Sequence, residues 1–214
     1  MELLDEKPSF EARLKYWQSS FENILPHDFQ SKDLSKIEGG EEIAILKAYD
    51  EGEDDFGFIL MGEVGVGKTF ILMALMNKVL NACYQYEVAF SDYVAYYPIG
   101  YLLYRLRNHR DAAEFRTCLE TKFLFLDDLG AENTTDFARE HFFTILDLRC
   151  QKRLPTFITT NLSFNELKEK YGERVVSRLK EMCIPITIKG RDRRVDVMKD
   201  RAQKLKERTK LTIV

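Results

Sequence analysis

The sequence predicts an α/β protein whose five-stranded parallel sheet is covered by helices on both faces. Short apolar runs of strand length alternate with stretches of helical periodicity along most of the 214 residues. Several of these runs are apolar throughout, as is typical of strands buried on both faces of a parallel sheet. A glycine-rich segment joins the first strand to the next helix, and such a junction is a common ligand site in α/β proteins.

The predicted elements follow one another in order. The first helix is predicted over residues 10–24 from the helical spacing of Phe10, Leu14, Trp17 and Phe21. The predicted strands are short and apolar or β-branched, and they cover residues 56–61, 87–90, 123–126, 156–160 and 184–188. Further helices are predicted from amphipathic spacing over residues 68–80, 93–106, 111–119, 136–150 and 173–182. Ser163 and Glu166 form a capping box that opens one more helix.

Three segments are expected along the chain. Residues 1–50 form an N-terminal helical extension, which serves either as a partner-docking element or as a cap on the sheet. Residues 51–195 form the core that holds the predicted strands. Residues 196–214 form a basic C-terminal helix and tail.

The composition excludes some classes of protein. Apolar residues make up 45% of the chain and charged residues 31%, and no apolar run approaches the roughly 20 residues that span a bilayer. The N-terminus lacks the basic and apolar stretches of a signal peptide. We therefore expect a cytoplasmic protein without a membrane partner. The cysteines lack the spacing of a zinc or redox site, which predicts reduced thiols at Cys83, Cys118, Cys150 and Cys183.

Charge is distributed unevenly. The net charge of −3 argues against a protein that binds nucleic acid with its whole surface. Residues 38–55 are strongly acidic, whereas residues 189–210 carry ten Lys or Arg against four Asp or Glu. The basic segment is either a local phosphate-binding face or a solvated helix.

The glycine-rich segment fits the pattern G-x-x-x-x-G-K-[ST] at every required position. Its residues are Gly62, Glu63, Val64, Gly65, Val66, Gly67, Lys68 and Thr69. The glycines let the backbone turn its N–H groups toward phosphate oxygens, at the positive end of the following helix. In this pattern Lys68 reaches the β- and γ-phosphates, and the Thr69 hydroxyl is a ligand for Mg²⁺. The motif predicts that ATP and Mg²⁺ are bound here.

Two carboxylates end the predicted strand at residues 123–126. Asp127 and Asp128 follow four apolar residues directly, and the carboxyl ends of parallel strands face the ligand crevice. Asp127 is therefore expected to hold Mg²⁺ and Asp128 to orient and deprotonate the attacking water. The Asp128 side chain is one methylene shorter than a glutamate, which predicts slow hydrolysis.

These motifs, with those that follow them, resemble the DnaC/DnaI-type helicase loaders and their transposition relative IstB. The resemblance spans about residues 56–195 and identifies a P-loop protein of AAA+ type. Residues 123–130, FLFLDDLG, are similar to the family's Walker B box, and residues 157–162 resemble its sensor 1 strand. Residues 173–179 resemble the box of the arginine finger, and residues 190–194 the closing G-x-[SD]-x-R.

The resemblance implies roles for three further residues. Asn161 corresponds to sensor 1, near the γ-phosphate. Arg178 corresponds to the finger that reaches the ATP of a neighbouring subunit in an ATP-dependent homo-oligomer, and Arg174, one turn earlier, is an alternative. Arg194 is a candidate for a sensor 2 contact with the nucleotide. Asn161 could instead be a turn residue, and Arg178 an exposed helix arginine.

A run of tyrosines and arginines follows the second predicted strand. Tyr97, Tyr101, Tyr104, Arg105 and Arg107 combine aromatic faces for stacking bases with cations for phosphates, which is what single-stranded DNA binding needs. The alternative is that the tyrosines pack against the sheet and the arginines face water.

The function implied by the resemblance is ATP-dependent loading or remodelling of a replicative hexameric DNA helicase. The alternatives are an IstB-like transposition helper ATPase and a nucleotide-gated adaptor with little turnover. The chain departs from the loaders because only about fifty residues precede its first strand. Few residues follow its last strand, so the helical lid of larger AAA+ proteins is expected to be reduced or absent.

Overall fold

The computed structural model describes residues 9–19, 21, 25, 28–85, 90–108 and 113–209. Parts of four predicted segments lie outside these residues: the end of the N-terminal helix, most of the strand at 87–90, the start of the helix at 111–119, and the C-terminal tail at 210–214. Among the described helices, none is long and apolar enough to cross a bilayer.

The centre of the molecule is a parallel five-stranded sheet, as predicted. Its strands are β1 (Gly57–Met61), β2 (Val94–Pro98), β3 (Phe123–Leu129), β4 (Thr156–Thr160) and β5 (Cys183–Thr187). The strand order is β2-β3-β4-β1-β5, and Ile59 of β1 lies opposite Ile158 of β4 and Pro185 of β5. Because β3, β4 and β1 are adjacent and parallel, the segments that follow them meet at one edge of the sheet.

The described helices surround this sheet. They are α1 (Phe10–Ser19), α2 (Glu41–Ala48), α3 (Lys68–Gln85), α4 (Phe90–Tyr93), α5 (Ile99–Asn108), α6 (Ala113–Glu120), α7 (Asp136–Gln151), α8 (Phe164–Tyr171), α9 (Glu173–Met182) and α10 (Arg194–Thr209). The predicted capping box is present, because Ser163 caps α8 and the Glu166 side chain accepts from the Ser163 backbone. Of the described residues after β5, one helix forms, α10.

The N-terminal segment shares the hydrophobic core of the sheet. Trp17 of α1 is fully buried, and its indole N–H donates to the carbonyl oxygen of Val94 at 2.7 Å. Its ring packs against Phe21 and Phe29 at centroid distances of 4.9 and 5.9 Å. The apolar face of α1 is therefore used to cover the edge strand β2.

The predicted helix over residues 93–106 is wrong in its first part. Val94–Pro98 is the edge strand β2, paired with β3 so that Tyr96 lies opposite Phe125. Tyr97 belongs to this strand, is 6% exposed, and meets the Phe21 ring edge-on. A buried ring cannot stack on a base, so Tyr97 is not a nucleic-acid contact. The helical pattern of the remaining residues is correct from Ile99 onward, in α5.

A buried arginine closes the amino-terminal edge of the sheet. Arg149 of α7 is 0% exposed, and its Nε donates to Thr156 Oγ1 at 2.8 Å. Its two amines donate to carbonyl oxygens before β3 and β4, at Cys118, Thr121, Lys122 and Pro155. Burial lowers the pKa of Arg149 to about 9, so the guanidinium still carries its charge at neutral pH. We refer to this set of bonds as the Arg149 clamp.

Candidate nucleotide site

The glycine-rich turn joins β1 to α3 at the carboxyl edge of the sheet. Gly65 and Gly67 have φ angles of 82° and 102°, a left-handed region that strains any residue with a Cβ. A Cβ added at Gly65 would also lie 2.0 Å from Oδ1 of Asp192, so this exposed carboxylate would have to move away. These two positions explain why the turn requires glycine.

Lys68 opens α3 and points back into the turn. Its Nζ donates to the carbonyl oxygens of Gly62 and Glu63 at 2.8 and 2.7 Å, and the residue is 8% exposed. Burial lowers the pKa of Lys68, the carboxylates of Asp128 and Asp127 oppose this change, and the charge of Arg194 adds to it. The ammonium group is thus held inside the turn, within the field of the strand-end carboxylates.

Asp127 ends β3 beside the first turn of α3. Its Oδ1 accepts from Thr69 Oγ1 at 3.1 Å and from Thr159 Oγ1 at 2.5 Å, and its Oδ2 accepts from the Tyr96 hydroxyl at 3.3 Å. The structure therefore brings Thr69 and Asp127 together, as the sequence predicts. Tyr96 and Thr159 complete the set, although no sequence motif marks them as site residues.

Burial and hydrogen bonding shift the pKa of the Asp127 carboxyl group in opposite directions. Desolvation raises the pKa of the carboxyl group, the bonds from Thr159 and Thr69 lower it, the nearby Asp128 raises it, and the bond from Tyr96 lowers it. Three neutral hydroxyl donors hold the carboxylate, without a cationic partner among them. A carboxylate of this kind favours the approach of a cation, which would replace the lost hydration.

Asp128 is turned out of the sheet by its backbone. Its φ angle is 63°, and the pairing of β3 with β4 shifts register between Leu126 and Leu129. The left-handed conformation is tolerated by aspartate better than by most residues, and the Asp128 N–H donates to Thr159 Oγ1 at 2.8 Å. The bulge lets both consecutive carboxylates lie near the turn, with Asp127 buried and Asp128 exposed.

Asn161 follows β4 at the same edge. The residue is exposed, and the preceding Thr160 fixes its strand to the end of β3. The Thr160 hydroxyl donates to the carbonyl oxygen of Leu129 at 2.7 Å and accepts from the N–H of Leu162 at 3.1 Å. The predicted sensor position is therefore adjacent to the strand that carries Asp127.

Residues 190–194 lie across the glycine-rich turn. The Arg193 N–H donates to the carbonyl oxygen of Gly65 at 3.0 Å, and Asp192 Oδ1 accepts from the N–H of Arg194 at 2.9 Å. Arg194 also acts on the pKa of Lys68 through its charge. The structure thus brings the start of α10 to the candidate nucleotide site, so Arg194 stays a predicted nucleotide contact.

Arg178 forms its hydrogen bonds outside the glycine-rich turn. Its Nε donates to Asp147 Oδ1 at 2.8 Å, and its Nη1 donates to Glu181 Oε2 at 2.6 Å. Arg174 lies over the ring of Phe143, with 4.0 Å between the guanidinium carbon and the ring centroid. Neither interaction involves the glycine-rich turn, and this geometry is compatible with a contact made in a second subunit.

The predicted DNA-contacting residues of α5 divide into two pairs. Tyr104 is 62% exposed and Arg107 is exposed. Tyr101 packs against the core, and Arg105 forms an ion pair with Glu114 at 2.6 Å. Tyr104 and Arg107 are therefore the members of the predicted set that are best placed to meet a ligand.

The oxygens at the site fit Mg²⁺. The Thr69 hydroxyl and the Asp127 carboxylate converge to 3.1 Å, and Mg²⁺ bound with nucleotides takes one or two protein oxygens besides phosphates and water. Among the described residues, there is no cluster of three or more His, Cys, Asp or Glu that would form an all-protein metal site. The donor set therefore suits a metal that arrives with a nucleotide.

The fold and this site together define an ATP-binding P-loop protein of AAA+ type. A family model described as IstB-like ATP binding protein matches residues 14–201, and the chain belongs to that family. It is also similar to the replicative helicase loader DnaI of Bacillus subtilis (strain 168), with 30% identity over 192 residues. That match covers 81% of this chain and 60% of the relative, so this chain spans less than two thirds of the relative's length.

Solved structures agree with this assignment. A crystal structure of the DnaC helicase loader aligns with a TM-score of 0.63 and 25% identity, covering 77% of this chain and all of that one (100%). AMPPCP-bound DnaA from Aquifex aeolicus aligns with a TM-score of 0.62, covering 86% of this chain and 57% of that chain. At 17% identity, the second similarity supports the fold alone.

Proposed function

We propose that this chain uses ATP to load or remodel a replicative hexameric DNA helicase. The observation that carries the proposal is the 30% identity with the loader DnaI across 81% of this chain. The site supports it, because the turn, the strand-end carboxylates and Asn161 occupy one edge of the sheet. The name of the matching family keeps a transposition helper as the second candidate.

ATP binding follows from the glycine-rich turn. The backbone N–H groups of residues 62–69 hold the phosphates, and the Lys68 ammonium exchanges its carbonyl partners for β- and γ-phosphate oxygens. Thr69 and Asp127 would hold Mg²⁺, which would neutralise charge on the phosphates. Asn161 orients the γ-phosphate from the end of β4.

Hydrolysis is assigned to Asp128. Its exposed carboxylate orients a water molecule for attack on the γ-phosphorus atom and accepts the proton that this water loses. The side chain is short, and its backbone conformation is fixed by the bulge of β3. We therefore expect slow turnover unless a partner or a second subunit improves the geometry.

A second subunit supplies the remaining cation. Arg178 of α9 bonds to Asp147 and Glu181 rather than to the glycine-rich turn of its own chain, so we assign it to the ATP of a neighbouring subunit in a homo-oligomer that forms with ATP. Hydrolysis then weakens the contact between subunits, which couples nucleotide turnover to release of the helicase.

The proposal is tested by capture of the purified replicative helicase of the same organism. Asp128→Asn protein, which binds ATP without hydrolysing it, is expected to retain the helicase when ATP is present. Lys68→Ala removes a charge-assisted contact worth about 1.5–3 kcal/mol, so its ATP affinity should fall about 10- to 100-fold and capture with it. Lys152→Ala, a substitution of an exposed lysine, is the matched control and should change neither measurement.

Two results would contradict the proposal. Normal ATP affinity in the Lys68→Ala protein would remove the turn from the nucleotide site. ATP-dependent, salt-sensitive binding to duplex DNA without any helicase capture would favour the transposition helper instead.

Single-stranded DNA is proposed as a further ligand, bound by α5. Replacing Tyr104 and Arg107 by alanine is expected to weaken binding of an oligonucleotide about 10- to 1,000-fold, because one stacked base contributes roughly 1–3 kcal/mol and one phosphate contact is also lost. ATP affinity should not change. The measurement is fluorescence anisotropy over a range of salt concentrations.

The matched control for α5 changes Tyr101 and Arg105, two residues of the same helix that contact the rest of the protein. Tyr101→Phe with Arg105→Lys keeps the packing and the charge of residues that already contact the protein. This control should bind the oligonucleotide normally. Equal affinity of the Tyr104/Arg107 variant and the unchanged protein would exclude α5 as a DNA-binding helix.

A further inference from the structure

Arg178 is held by a carboxylate from a different helix. Asp147 lies on α7, and its Oδ1 accepts from Arg178 Nε on α9 at 2.8 Å. Its other oxygen, Oδ2, accepts from Gln151 Nε2 one turn later on α7, also at 2.8 Å. Both carboxylate oxygens are therefore engaged, and the bond from Gln151 helps to orient the carboxylate toward the guanidinium.

We propose that Asp147 is the positioning residue for Arg178, aiming its guanidinium at the ATP of the neighbouring subunit. The inference rests on the proposed role of Arg178 and names a residue outside the motifs that suggested that role. A bond to Nε fixes the rotation of the planar guanidinium about its long side chain. The amines at the far end of the group can then approach a phosphate in a set direction, once Nη1 has released Glu181.

Asp147 holds Arg178 more directly than Glu181 does. Glu181 lies on the same helix as Arg178, three residues later, and its side chain is 55% exposed. It reaches α7 through a hydrogen bond with Cys150. The Asp147 side chain is 22% exposed and belongs to α7 itself, which is anchored at its end by the buried Arg149.

The pair contributes little to stability, which makes its role testable. Arg178 is one third exposed in this ion pair, and such surface pairs are worth about 0–1 kcal/mol. Asp147→Asn keeps the size of the side chain and one hydrogen-bonding oxygen, but it removes the charge that holds the guanidinium. The variant is therefore expected to fold and to bind ATP normally.

The test uses mixed oligomers in which one kind of interface is active. Arg178→Ala subunits keep an intact hydrolytic site, and Asp128→Asn subunits keep an intact Arg178. Asp147→Asn is added to one member of the pair at a time, and the recovered ATPase rate is measured at saturating ATP. Assembly is followed by light scattering, and unfolding is followed by thermal melting.

The recovered ATPase rate should depend on which of the two subunits carries Asp147→Asn. Asp147→Asn in the Asp128→Asn subunit, which donates Arg178, is expected to reduce the recovered rate about 10- to 100-fold, because a misplacement of about 1 Å has an effect of this size. The same change in the Arg178→Ala subunit should leave the recovered rate unchanged. Glu173→Gln, which removes an exposed ion pair between Glu173 of α9 and Lys168 of α8, is the matched control in both orders.

Each other outcome overturns the inference. Unchanged rates in both orders would mean that Asp147 does not position Arg178. Equal losses in both orders, or a loss that parallels lost assembly, would mean a structural role. A pair without the Asp147 change that recovers no activity would instead show that the role of Arg178 is wrong, so the two failures are distinguishable.

Discussion

ATPase activity is expected to return when Arg178→Ala protein is mixed with Asp128→Asn protein, although neither variant hydrolyses ATP alone. Arginine fingers stabilise charge on the transferring phosphoryl group and contribute about 10³- to 10⁵-fold in rate. Arg178→Ala should lose activity on this scale, yet its ATP affinity as a monomer should be normal. The reason is geometric, because Arg178 bonds to Asp147 and Glu181 rather than to its own turn.

The mixture restores one complete interface. Arg178 from the Asp128→Asn subunit meets the intact Asp128 of the Arg178→Ala subunit, so partial recovery is expected in proportion to mixed contacts. Arg116→Ala, which removes an exposed arginine paired with Glu120, serves as the control and should leave activity unchanged. A mixture that assembles but stays inactive would exclude Arg178 as the finger and direct attention to Arg174.

Arg149→Met is expected to destabilise the protein by about 4 kcal/mol or more. The substitution removes a donor from four carbonyl oxygens, at Cys118, Thr121, Lys122 and Pro155. Pro155 keeps a second donor, the N–H of Leu124, so the cost arises mainly at the other three. An unsatisfied buried acceptor costs about 1–3 kcal/mol, and whole domains are stable by only about 5–15 kcal/mol. The free energy of unfolding, measured in urea, is the test.

A second substitution covers the case in which Arg149→Met does not fold. Arg149→Lys keeps a positive charge but lacks the planar group that reaches both loops at once. Its free energy of unfolding should therefore lie between those of the unchanged protein and the Arg149→Met protein. Arg116→Met, at an exposed arginine, should change stability by less than about 0.5 kcal/mol. Unchanged unfolding of the Arg149→Lys protein would show that the Arg149 clamp contributes little.

The sequence predicted those parts of the fold whose signals are local. The glycine-rich turn, the carboxylates at the end of β3 and the bounds of α9 depend on neighbouring residues, and Glu173–Met182 agrees with its prediction at both ends. The parallel sheet followed from runs that are apolar throughout. Thr69 and Asp127 could be paired because strand ends and the turn share one edge.

The features that could not be predicted from the sequence also have physical explanations. Strand β2 is followed by α5 without an intervening loop, so Val94–Pro98 and the helix merge into one apolar pattern. Tyr96 and Thr159 contact Asp127 only through pairing of β2, β3 and β4, and single residues carry no signal for that pairing. The strand order is likewise a property of the whole sheet.

The buried position of Arg149 could have been predicted from the helical pattern of the sequence. Its position continues the buried stripe of α7 formed by Ala138, Phe142 and Ile145, at helical spacings of four, three and four residues. A charged residue on an otherwise apolar face must find polar partners. Their identity could not be read from the sequence, because the partners are backbone carbonyls of two separate loops.

The Arg149 clamp restricts how the loops before β3 and β4 can diverge. At the amino-terminal edge of the sheet, these loops must present carbonyl oxygens to one guanidinium at fixed distances. Their lengths are thereby constrained, whatever side chains they carry. Substitutions within these loops should therefore be tolerated better than insertions or deletions, although neither loop belongs to the nucleotide site.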